Sequence, residues 1–152
     1  MKKLIPISIL TAAIVSAALA HEGHEHATGV VRERMELMTD MGKRLLAISK
    51  RLRANKDLES VTNDARAIHE LASKVTALFP PGSTQSPTAA KLAVWQEWED
   101  FTAKVKNLEK ESEKLMNTST KDGDAFRAQF RAVGFACDAC HEKYRLTKEK
   151  RR

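Results

Sequence analysis

Apolar residues recur along this chain in steps of three and four, the period that puts them on one face of an α-helix. Between about Val30 and Arg53 the stripe is Val31, Met38, Leu45 and Leu52, one residue in every seven, with Met41 and Ile48 interleaved. Such a seam suits a helix packed in a bundle. A second stripe of Val61, Ala65, Ile68, Ala72, Val75 and Phe79 predicts a helix over 58–79. Pro80 and Pro81 end it, because proline has no amide hydrogen for the helical ladder. Ser86 followed by Pro87 carries a helix-start signal, a capping hydroxyl and then proline at the first helical position. A third helix is therefore expected from there to about Met116, with Val94, Trp98, Phe101, Val105, Leu108 and Leu115 on one face. The fourth begins near Asp122 or Asp124 and carries Phe126, Phe130, Val133, Cys137, Cys140 and Tyr144. No alternating β-branched run is long enough to build a sheet. The predicted fold is all-α, an antiparallel four-helix bundle.

Residues 1–20 follow another logic. Lys2 and Lys3 precede an apolar stretch from Leu4 that ends in Ala18-Leu19-Ala20. A basic start, an apolar middle and a small-x-small end describe a secretory signal peptide, cut after Ala20. The expected organisation is a signal peptide over 1–20, a disordered His-rich tail over 21–29, a helical domain over 30–147 and a basic tail over 148–152. The product is expected in the periplasm, with no membrane segment left after cleavage.

Composition agrees with a helical reading. Hydrophobic residues make up 42% of the chain but aromatics only 5%. The formal charge is +6, and loss of Lys2 and Lys3 lowers it to +4. That is too small a surplus to argue for a nucleic-acid partner. The tail residues His21, His24 and His26 could bind copper, zinc or nickel weakly, although a disordered polar tail is the simpler account of them.

The chemistry concentrates in Cys137-Asp138-Ala139-Cys140-His141, the C-x-x-C-H pattern of covalent c-type haem attachment. On a helix Cys137, Cys140 and His141 stand at i, i+3 and i+4 and project from one side. Two thiols can then bond two vinyl groups at one edge of a porphyrin, and the imidazole beside them can reach the iron as an axial ligand. A thioredoxin-like dithiol would instead follow a strand and open a helix, and a zinc site would need further ligands. The expected cofactor is one haem c.

These residues sit in a wider pattern. Arg34 stands four residues before Met38, and Gly42 four after it. Phe79-Pro80 closes the second helix, and Trp95 and Phe101 mark the third. The last helix reads Val133-Gly134-x-Ala136-Cys137-x-x-Cys140-His141-x-x-Tyr144-Arg145. The whole resembles the class II c-type cytochromes, the cytochrome c′ family. The resemblance implies a four-helix bundle with covalently bound haem near the C-terminus and His141 as proximal ligand. It implies that Met38 fills the distal position, which matches the low-spin branch whose members carry single electrons. It also implies that Arg34 pairs with a haem propionate. Trp95 is expected to line the haem pocket or to fill core. The expected function is electron transfer rather than enzymatic catalysis. The alternative is a five-coordinate, high-spin binder of small gases such as NO or CO. Monomer and homodimer are both compatible with the resemblance. Lys143, Arg145, Lys148, Lys150, Arg151 and Arg152 outnumber Glu142 and Glu149; they would either steer redox partners with acidic surfaces or form a solvated helix end with no partner.

Overall fold

A computed structural model describes residues 26–55 and 58–147. Helix α1 spans Gly29–Ala54, α2 Val61–Ala72, α3 Ala93–Gln96, α4 Trp98–Asn117 and α5 Gly123–Tyr144. A short 3₁₀ turn, Thr76–Leu78, follows α2. No strand is present among the described residues beyond the isolated antiparallel bridge Ala90–Arg145. The signal-peptide segment, His21, His24 and the basic tail lie outside the described residues. Ala27 is already buried, so packing begins just before α1.

The stripes become the core. Val61, Ala65, Ile68 and Ala72 of α2 are fully buried, and they face Phe101, Val105, Leu108 and Leu115 of α4. Burying a side chain of Leu or Phe size contributes about 1.5–3 kcal/mol, so these seams dominate the stability. Local chemistry fixes the helix ends. Asn55 adopts φ 48°, a left-handed stop that asparagine tolerates, and its amide returns to the last turn of α1. The Asp122 carboxylate caps α5 by accepting from the Ala125 amide at 3.0 Å. Arg44 and Arg51 of α1 reach the Asp64 carboxylate of α2 at 3.3 and 3.1 Å, tying the first two helices together.

The third helix departs from expectation. The Ser86-Pro87 bond is cis, and the chain from 86 to 92 is not helical. Its backbone groups have other partners. The Lys91 amide donates to the Tyr144 carbonyl, and the Leu146 amide donates to the Ala89 carbonyl, both at 2.8 Å. The Lys91 ammonium also donates to the carbonyls of Glu142 and Lys143, each at 3.0 Å, and so caps the end of α5. Residues 89–91 thus serve as a strap over the last turn of α5 instead of opening a helix. Glu97 then breaks the helical run, leaving α3 as a single turn ahead of α4.

The helices pack in sequence: α1 on α2, α2 on α4 and α4 on α5. The remaining side, between α1 and α5, is not closed by close helix–helix packing. A cleft lies there.

Candidate functional site

The cleft has a volume of about 390 Å³ and is walled by α1, α4, α5 and the strap. From α5 come Cys137, Cys140, His141 and Tyr144, the one-sided set that the i, i+3, i+4 spacing requires. From α1 come Arg34, Met35, Met38, Met41 and Gly42. Phe101, Lys104, Val105 and Leu108 of α4 form the floor. The cleft reaches the surface beside the exposed Thr39, Gly42 and Arg145.

Both cysteines are free thiols and partly buried. Burial pushes the Cys137 thiol up to about 11, with the Asp138 charge acting in the same sense. Burial also raises Cys140; nearby Lys104 opposes the shift, whereas Asp100 adds to it. A dithiol oxidoreductase needs the opposite, a thiol whose pKa is lowered. Burial lowers the pKa of His141, helped by Arg145 and opposed by Asp138. The imidazole is therefore held neutral, the form that can bind a metal. A largely apolar cleft, two neutral thiols on one edge and a neutral imidazole in the same wall fit a covalently attached haem.

Each residue singled out in the sequence now has a place. Cys137, Cys140 and His141 come together as required. Met38 is partly buried in the facing wall, with Met35 beside it, whereas Met41 is 4% exposed and belongs to the core. Arg34 lines the cleft and is buried, yet its terminal nitrogens already have partners. Nη1 donates to the Leu78 carbonyl and the Ser83 hydroxyl, both at 3.3 Å. Nη2 donates to the Ser83 carbonyl at 2.9 Å and the Thr88 hydroxyl at 3.0 Å. Burial lowers its pKa, and no carboxylate partner appears among its described bonds.

Trp95 does not line the cleft. It stands behind Phe79, with ring centres 6.2 Å apart, and its Nε1 donates to the carbonyls of Phe79 and Pro80. The indole needed a hydrogen-bond partner, and the turn after α2 supplies one. No neighbouring helix crowds Gly134, since a Cβ there would meet no protein atom within 4 Å. The cationic rim is partly neutralised: Lys143 is paired with Glu97 and Asp100.

No motif or stripe in the chain marks Asp100, Lys104 or Thr88. Asp100 receives the Tyr144 hydroxyl at 2.5 Å across a separation of 44 residues, which no local pattern signals.

Fold and site together define a haem-binding, all-helical c-type cytochrome. The family model described as Cytochrome C' matches residues 29–145. The chain belongs to the cytochrome c′ family, the class II cytochromes with one covalently attached haem c. It is 30% identical over 122 residues to cytochrome c-556 of Agrobacterium tumefaciens (strain II Chrys), a match spanning 79% of this chain and 99% of that protein. The solved cytochrome c′ of Thermochromatium tepidum superposes with a TM-score of 0.74 at 27% identity, covering 78% of this chain and 95% of that one. A second cytochrome c′, described by an unusual ligand-controlled dimer dissociation, gives 0.73 at 27% identity over the same shares. No described helix is long and apolar enough to cross a membrane.

Proposed function

We propose that this protein is a periplasmic one-electron carrier in which His141 and Met38 are the axial ligands of the haem. The haem would supply an iron that gains and loses one electron. The chain's residues do the rest. Cys137 and Cys140 anchor the group to α5, so it is retained through every exchange of partner. His141, kept neutral by burial, is available on the same wall. The observation that carries the reading is Met38, which lines the same cleft from α1, the helix across from Cys137, Cys140 and His141. Thioether and imidazole ligation favours the reduced state more than two imidazoles would, and a filled sixth position suits rapid electron exchange.

The solved relatives lean toward a second one, an open iron that takes small gases. Both described above are cytochromes c′, and one is named for a ligand that controls its dimer. In that case Met38 is a wall residue of the cleft, as its flexible thioether would allow.

Visible spectra of the purified haem protein separate the two. The carrier reading predicts sharp ferrous α and β bands that carbon monoxide does not change. A broad high-spin ferrous spectrum that shifts promptly on adding carbon monoxide would replace it with the gas-binding reading.

A further inference from the structure

We infer that Asp100 and Lys104, one turn apart on α4, set the reduction potential of the haem in opposite directions. The inference rests on haem attachment at Cys137 and Cys140 and not on which group fills the sixth position.

The two side chains stand on the first two turns of α4, beside the cleft. Lys104 lines the cleft and keeps only 28% of its side chain exposed. The Asp100 carboxylate accepts from the Tyr144 hydroxyl at 2.5 Å and from the Lys143 ammonium at 3.0 Å, and lies 4.0 Å from Lys104 Nζ. Tyr144 is itself a buried wall of the cleft, three residues beyond His141. Asp100 is therefore fixed one hydrogen bond from the cavity, by a side chain that cannot move without disturbing the cleft. The Tyr144 ring is held in turn edge-on to Phe101, with centres 5.4 Å apart.

Oxidation adds one positive charge at the iron. A fixed carboxylate nearby favours the oxidised state and lowers the potential; a fixed ammonium favours the reduced state and raises it. Lys143 offsets part of the Asp100 charge and is shared with Glu97. The four groups sum to no net charge, so what acts on the iron is their order in space.

The test is the midpoint potential of the complete haem protein, measured at low and high ionic strength. Asp100→Asn keeps an acceptor for Tyr144 but loses the charge, and should shift the potential upward. Lys104→Gln should shift it downward. Lys143→Gln unmasks Asp100 and should also shift it downward. Asp100→Glu retains the charge and should stay nearer the wild type than Asp100→Asn does. The shifts should shrink in high salt, because the side chains are partly exposed. The visible spectrum of each variant reports whether iron coordination is intact, so a failed ligand assignment is read separately from a failed charge effect. A purely structural role would move Asp100→Asn and Lys104→Gln in the same direction. That result, or no shift at low salt in either variant, overturns the inference.

Discussion

The guanidinium carbon of Arg34 lies 4.5 Å from the centre of the Phe79 ring, and Ser83 accepts from both of its terminal nitrogens. Trp95 flanks the same cation at 5.8 Å. A planar fork of donors can serve Leu78, Ser83 and Thr88 together while stacking on aromatic rings; an ammonium cannot. Arg34 therefore pins the turn after α2 and the approach to the strap against α1, at one end of the cleft.

Replacing Arg34 should loosen that end first. Arg34→Ala leaves several buried acceptors unmatched and should cost about 3 kcal/mol in unfolding free energy. Arg34→Lys should recover part of this, because the charge survives and the fork does not. Denaturant unfolding of the haem protein measures both. Equal stability of wild type and Arg34→Ala would remove the clamp from the account.

Met38→Ala should open the sixth position, turn the ferrous spectrum high-spin and lower the reduction potential. Met35→Ala should leave coordination as it was. Met41→Leu should do the same, since it nearly conserves volume in the core. Titration with carbon monoxide checks all three. A low-spin Met38→Ala protein would transfer the ligand role to a neighbouring side chain.

Haem should act as the missing fourth contact of the bundle, because α1 and α5 are not closely packed on each other. A double Cys137→Ala, Cys140→Ala chain is expected at its bare polypeptide mass, with a lower thermal midpoint than the haem protein. Amide exchange in it should accelerate most on the cleft-facing turns of α1 and α5 and least where α2 meets α4. Mass spectrometry and hydrogen exchange read these outcomes.

The pair at the end of α5 predicts a pH dependence on both sides. The Tyr144 hydroxyl, and next the Lys143 ammonium, hold the Asp100 carboxyl below the usual carboxylate range. A carboxyl whose pKa falls on folding adds stability above its unfolded value and loses it as pH drops through the folded one. The stability gap between wild type and Asp100→Asn should thus be full near neutrality and shrink below about pH 4. Burial, and next the Asp100 bond, push the Tyr144 hydroxyl up to about 12. Its contribution is intact below about pH 10 and fades as pH rises from there toward the folded value. Thermal midpoints across pH for wild type, Asp100→Asn and Tyr144→Phe supply the comparison.

Much of this molecule could be read from its residues in order. The stripes of α1 and α5 are periodic over several turns, and buried area rewards that pattern directly, so their limits agree closely with expectation; α2 ends at Ala72, seven residues before the expected Phe79, and its stripe runs on through a 3₁₀ turn. The C-x-x-C-H spacing needs only helical geometry to place Cys137, Cys140 and His141 in one wall. The segment 86–92 departs from its local signal for a physical reason. Ser86-Pro87 satisfies a local rule for starting a helix, but the amide and carbonyl groups of Ala89–Lys91 bond to the far end of the chain, at Tyr144 and Leu146. Trp95 and Arg34 illustrate the same limit. Their neighbours in sequence say that one is aromatic and the other core-facing; only the folded turn at 78–83 decides what they touch.

Proton NMR of the fully reduced haem protein bears most directly on Met38 as the sixth ligand. A thioether bound to low-spin ferrous iron holds its methyl group against the face of the porphyrin, where the ring current moves it far upfield. The account predicts a diamagnetic spectrum with one such three-proton resonance, lost in Met38→Ala and kept in Met35→Ala and Met41→Leu. A paramagnetically broadened spectrum of the reduced wild type, with no upfield methyl, would contradict it.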